Sequence, residues 1–214
     1  MGDFIAVTAF KVQSVEEVMN CVVDYATLYN VTAEQIPLNE PLDHRNNAHF
    51  YQPPGEWTIV WWPYYFNIHD FPLVRTIAAN EGWLISTVHV YDGDYWEHLC
   101  CFGEIELHAF NSWPNYWKED GGEDYDRILG YDSSPDRLAE ALGIEPSVIQ
   151  PYLVDVEAFH DYEEKAYEDD EFPLASYWVF VDFWRRLGIP YPEETDVKSA
   201  VQFAGDLMKK LPAA

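Results

Sequence analysis

Positive charge is scarce in this chain. Twelve Lys and Arg residues face 38 Asp and Glu, leaving a net charge of −26 with histidine neutral. A field of that sign repels phosphate backbones and anionic lipid surfaces, so neither nucleic acid nor a membrane is expected as a direct partner. Long apolar runs are missing too, and no stretch approaches the roughly 18 residues of a membrane span. The first residues carry neither a basic region nor a cleavable apolar segment, so no secretory signal is read and a cytoplasmic location is expected. Cysteine is limited to Cys21, Cys100 and Cys101. Their number is odd, and neighbours on a strand face opposite ways, which argues against a disulfide framework. Reduced, mostly buried thiols are expected.

Signature motifs are equally thin. The eleven glycines fall into neither G-x-G-x-x-G nor G-x-x-x-x-G-K-[ST], so no phosphate cradle is read. There is no G-x-S-x-G elbow, no H-x-x-x-H or H-E-x-x-H among the seven histidines, and no internal repeat. Cys100 or Cys101 beside His98 or His108 would be a nucleophile only in an electropositive setting, and this chain is the opposite. Asp92-Gly93-Asp94 and the acidic residues 119–126 offer oxygen ligands but do not follow the calcium-loop pattern. Paired carboxylates are too abundant to point to glycoside hydrolysis. No recognisable enzyme emerges, and no cofactor is expected.

What the chain does have is aromatic mass and regular patterning. Nine Trp, fifteen Tyr and twelve Phe make up 17% of the residues, enough to bury a core and too many for a disordered chain. Alternation predicts strands over residues 4–12, 57–65, 83–91, 95–102 and 105–110. The Asp92-Gly93 dipeptide marks a tight hairpin between the third and fourth. Ser14 and Glu17 open a helix that runs to about residue 29. A second helix spans residues 71–80 and ends at Gly82. Residues 30–55, dotted with proline, read as a long loop. The resulting order, β-α-β-α-β-β-β, predicts an α+β fold with a ferredoxin-like mixed or antiparallel sheet and helices on one face. Beyond Ser112-Trp113-Pro114 the chain reads as mostly helical, with helices predicted over residues 135–142, 174–187 and 196–210 and an amphipathic segment over 145–156. Two parts are therefore expected. Residues 1–117 form the sheet domain, and residues 118–214 form a helical subdomain or an elaboration covering the sheet's open face. The acidic excess is shared, at −12 for the first 110 residues and −14 for the rest, so the charge belongs to both parts rather than to a tail.

Two places combine residues that could bind something. In Trp61-Trp62-Pro63-Tyr64-Tyr65-Phe66, five of six residues are aromatic and cannot all face one core. They fill a seam, or Tyr64 and Tyr65 serve as exposed anchors for a partner. The run Glu168-Asp169-Asp170-Glu171 favours a following helix N-terminus or meets a basic surface. A metal site is the weaker alternative, with His89 and His98 paired across the Asp92-Gly93 turn and Glu97 or Glu106 nearby. Histidines hydrogen-bonded within the sheet explain the same residues.

Tyr91-Asp92-Gly93-Asp94-Tyr95-Trp96-Glu97-His98, Phe110-Asn111-Ser112-Trp113-Pro114-Asn115-Tyr116, and the segment from Trp178 through Arg185-Arg186-Leu187-Gly188 to Pro192 resemble uncharacterised bacterial proteins of no assigned activity. The resemblance covers most of the chain and carries over no catalytic residue. In character, an acidic, cofactorless α+β protein is similar to bacterial immunity proteins, which neutralise toxins by occluding basic active sites. The expectation is a non-enzymatic inhibitor or immunity protein that binds a basic protein partner, a toxin or a nucleic-acid enzyme. The alternatives are a metal-dependent enzyme using the sheet histidines and carboxylates, and an acidic housekeeping protein adapted to high salt.

Overall fold

Strand β1 (Ile5–Phe10) shows how the sheet is built. Ile5, Val7 and Ala9 enter one apolar cluster, while Ala6 and Phe10 enter another on the opposite face. A strand covered on both faces reads as a near-continuous apolar run. The computed structural model describes residues 3–38, 41–45, 47–64, 66, 72–116, 134–158 and 163–204. Within them β1 is joined by β2 (Thr32–Ile36), β3 (Asn47–Tyr51), β4 (Thr58–Trp61), β5 (Leu84–Tyr91), β6 (Tyr95–Phe102), β7 (Ile105–Asn111) and β8 (Val197–Ala204). All eight form one antiparallel sheet in the order β2-β8-β3-β4-β1-β5-β6-β7. Asp92 and Gly93 turn β5 into β6 with φ of 51° and 74°. Asx and Gly residues tolerate that left-handed pair.

One face carries α1 (Val15–Leu28) and α2 (Pro72–Glu81). The Ser14 hydroxyl accepts the Glu17 amide at 3.1 Å and fixes the start of α1. Val18, Met19, Val22 and Ala26 then recur at helical spacing and pack on Phe10, Phe50 and Val60 beneath them. Burying each of the valines and the methionine stabilises the fold by about 1.5–3 kcal/mol, and Ala26 by less. Helix α2 stops where Gly82 adopts φ 67° and its amide reaches the Ala78 carbonyl at 2.9 Å.

The opposite face carries α3 (Pro135–Leu142), the single-turn α4 (Pro146–Ile149) with a 3-10 turn after it, and α5 (Val179–Arg186). Phe180, Phe183 and Trp184 of α5 pack with Leu138, Ile149 and Tyr152 on Val7, Val88, Trp96 and Phe110 of the sheet. The molecule is thus three layers deep, with helices on both faces rather than on one.

Three expectations change. Residues 30–55 are not one loop, since they contain β2 and β3. The predicted helix over 196–210 is instead, through residue 204, strand β8, which lies between β2 and β3. The later half therefore contributes a strand to the sheet as well as a helical layer. The helix expected over 174–187 covers only Val179–Arg186, because residues 171–178 form turns around Asp182. Residues 118–126 and the calcium ligands sought there lie outside the described residues.

Candidate functional site

The acidic run divides sharply. Asp170 is buried, and its carboxylate accepts the Tyr152 hydroxyl at 2.8 Å, the Tyr167 amide at 2.9 Å, Arg185 at 2.9 Å and Arg186 at 2.7 Å. Asp182, also buried, accepts the amides of Glu171 and Phe172 at 2.9 and 2.8 Å and Arg185 at 2.9 Å. Asp169 closes the clamp from outside, at 2.6 Å from Arg186 and 3.3 Å from Arg185. The hydrogen bond from Arg186 holds the Asp169 carboxyl below its ordinary range. Arg186 also lies 4.3 Å over the Tyr167 ring. Asp170, expected at a partner surface, is therefore a structural carboxylate locking the turn before α5. Glu168 and Glu171 remain exposed, as does Asp169. Tyr64 is 49% exposed, and Tyr65 lies outside the described residues. The rest of that aromatic run is divided between the clusters: Trp62 and Phe66 stack at 5.2 Å in the α1/α2 layer, and Trp61 packs toward the other.

The sheet histidines are brought together differently from the predicted metal group. His89 is paired directly with Glu97 across β5 and β6, while His98 is opposite Val88. His89 and Glu97 therefore share one face and His98 projects from the other. On the first face His89 Nδ1 lies 3.4 Å from Glu97 Oε2, and the Asn111 amide donates to Glu97 Oε1 at 2.9 Å. On the second, Trp184 Nε1 donates to Ser86 Oγ at 3.0 Å, Ser86 Oγ lies 2.8 Å from His98 Nε2, and His98 Nδ1 lies 2.8 Å from His108 Nδ1. In this chain, burial and the neighbouring His108 push His98 well below its usual range and hold its ring neutral. It has the order of a nucleophile, a base and an orienting group. Yet Ser86 is 1% exposed beneath Trp184, and a substrate has no route to its hydroxyl while that layer is in place. Among the described residues no group of three His, Cys, Asp or Glu side chains is placed to hold a metal ion. The thiols are free, with Cys100 and Cys101 buried on opposite faces. Burial raises the Cys100 thiol well above its ordinary value and Cys101 to about 11, the reverse of an activated nucleophile.

One feature was not foreseen. Across β2, β8, β3 and β4, the residues Ile36, Ala200, His49 and Trp61 stand directly opposite one another. Glu34, Gln202 and Asn47 form the adjoining row. Ala200, small between Ile36 and His49, leaves a cleft of about 330 Å³ lined by Ile36, Pro37, Asp43, Asn47, His49 and Gln202. His49 is 2% exposed and Asn47 8%, yet His49 Nδ1 and Asn47 Oδ1 have no hydrogen-bond partner. The ring of His44, whose Nδ1 is likewise unpartnered, lies 4.4 Å from that of His49 and 5.3 Å from that of Trp61. Burial, with His44 alongside, pushes His49 down to about 4 against the pull of Asp43. Burial also lowers His44, against Asp43 and Glu194. Both rings are neutral at pH 7. The signal that could have found this place is the alternation Asn47-Ala48-His49-Phe50-Tyr51 inside the segment read as loop.

No protein-family model, no curated protein and no solved structure matches the chain.

Proposed function

We propose that this chain is a non-enzymatic, cytoplasmic binding protein whose acidic surface captures a basic protein partner, in the manner of an immunity or inhibitor protein. The observation that supports the reading is that several of the few cations are tied up in contacts within the fold while many carboxylates stand exposed. Arg75 is engaged by Glu106 at 2.9 Å, and Arg185 and Arg186 by Asp169, Asp170 and Asp182. Lys165 reaches the Asp170 carbonyl at 2.8 Å. Meanwhile Glu16, Glu17 and Asp24 on α1, Glu140 on α3, and Glu168 and Glu171 are exposed. With −26 to distribute and these cations already held by acidic side chains or a carbonyl, the outward field is strongly negative. Such a field steers cationic partners and excludes nucleic acid. A toxin or nucleic-acid enzyme with a basic active site fits it, because carboxylates would lie where phosphates otherwise lie. Glu168, Asp169 and Glu171 remain contact residues in this reading, with Tyr64 as an apolar anchor, and Asp170 supports them from below.

The test is affinity capture from native lysate at low and at high salt, followed by association kinetics with the purified captured protein. Association should slow roughly tenfold between low and high salt, and again in a Glu168→Lys/Glu171→Lys variant. An association rate indifferent to both changes would remove the electrostatic reading.

A further inference from the structure

We propose that the cleft between β2, β8 and β3 is the seat for one arginine side chain of the partner, whose guanidinium lies against His49, Asn47 and Asp43. The proposal rests on the reading of this protein as the captor of a basic partner. Three independent features select that ligand. The first is the division of the walls. Ile36, Pro37 and Ala200 supply an apolar side suited to a methylene stem, while Asp43, Asn47, His49 and Gln202 supply a polar side. A volume of about 330 Å³ equals the liquid share of about eleven waters, which is ample room for an arginine side chain.

The second is the character of the unpartnered atoms. Asn47 Oδ1 accepts only, and a neutral imidazole protonated at Nε2 leaves Nδ1 as an acceptor. His49 is held neutral by its burial, with its protonation pushed down to about 4. Buried acceptors without donors are costly to leave unmade, and a guanidinium brings five N–H groups in a rigid fork. The third is charge. Asp43 stands in the cleft wall, with one oxygen taken by the Arg45 amide at 2.9 Å, and Glu194 acts on the adjoining His44. An anionic ligand is disfavoured on both counts. A metal ion is disfavoured by the donor set, since no third histidine, cysteine or carboxylate joins a group able to hold one among the described residues. A lysine ammonium is a compact, strongly hydrated point charge and would leave the separated acceptors unmatched.

The experiment is a nuclear magnetic resonance titration of the intact protein with N-acetyl-arginine amide, read at the His49 imidazole. N-acetyl-lysine amide, inorganic phosphate and Zn²⁺ are run alongside. A saturable shift with a dissociation constant on the order of 1 mM is expected for the arginine probe, with the lysine probe at least tenfold weaker and phosphate silent. Ala200→Leu fills the cleft without removing a polar group, and Asn47→Leu removes an acceptor that has no partner to lose. Each should weaken the probe at least tenfold. Asn47→Leu should also leave the thermal midpoint unchanged or raised, which shows that loss of binding is not loss of fold. Absence of a His49 shift, equal affinity for the lysine probe, stoichiometric Zn²⁺ at His49, or an unweakened shift in both variants would each overturn the proposal. The probe needs no partner. A positive titration with an empty lysate capture would therefore fault the protein-captor reading, and the reverse pair of results would fault the cleft alone.

Discussion

Replacing Asp170 by asparagine tests whether the acidic run is structural at its centre. The change is nearly isosteric and leaves one carbonyl oxygen, but it removes the charge and turns an NH2 group toward donors. Those donors are Tyr152, the Tyr167 amide, Arg185 and Arg186. The Asp170 side chain is wholly buried, whereas the Arg185 and Arg186 side chains are 46% and 21% exposed. Removing one partner of a buried pair costs about 3–5 kcal/mol. Here Asp169 and Asp182 still hold the arginines and water reaches them in part, so the lower end, about 3 kcal/mol, is expected. In a chain of this length each kcal/mol moves the thermal midpoint by about 2–4 °C, which gives a fall of roughly 6–12 °C by calorimetry or circular dichroism. Asp169→Asn is the matched control, one residue away on the same arginines but 64% exposed. It should leave the midpoint nearly where it is, because solvent and salt screen such pairs. Equal shifts in the two variants, or no measurable fall for Asp170→Asn, would refute the assignment of Asp170 to the core of the clamp.

The same reasoning yields three further expectations. His49 titrates near 6.5 when unfolded and at about 4 when folded, so between those values the unfolded chain binds more protons. Stability should therefore fall as pH drops from about 6.5 to about 4, by about 3 kcal/mol from this ring, and His49→Gln should flatten that part of a pH series of urea melts. Trp184→Phe keeps the ring contacts but leaves Ser86 without its indole donor, at a cost of about 1–3 kcal/mol in urea unfolding. With a thiol reagent at pH 8, Cys21 and Cys101, both raised to about 11, should react slowly and Cys100 not at all, all three titrating at once in denaturant. Fast labelling of Cys100 in the native protein would contradict its burial.

Local chemistry made much of the first half legible. Ser14 caps α1, Gly82 ends α2, Asp92-Gly93 turns the hairpin, and each element between them carries its own periodicity. Strands β2 and β3 escaped because they are five residues each, flanked by proline and asparagine that speak for loop. Strand β8 escaped for the opposite reason. Val197-Lys198-Ser199-Ala200-Val201-Gln202-Phe203 suits either period, and its strand geometry comes from partners 146 to 172 residues away, a tertiary override of weak propensity. The site followed the same rule. The acidic run was visible, but not that Arg185 and Arg186 fold back to neutralise its centre. His89 and His98 were visible on strands, but a register read one residue off put them on one face. His49 was hidden in a strand taken for a connection.

The place of β8 has a consequence for biosynthesis. Among the described residues strand β2 pairs with β8 and with no other strand, and β3 has β8 as its second neighbour. While the chain is still leaving the ribosome, β3 can pair only with β4 and β2 has no ladder to join. Nascent protein released at about residue 196 would display an open β3 edge and an unpaired β2 segment, templates for joining other chains. Arrival of one eight-residue segment covers the β3 edge, recruits β2 to the sheet and, by placing Ala200 between Ile36 and His49, shapes the cleft in the same step. A ribosome that stalls before that segment leaves a strand-hungry protein with no cleft, so quality control and ligand recognition depend on the same late event.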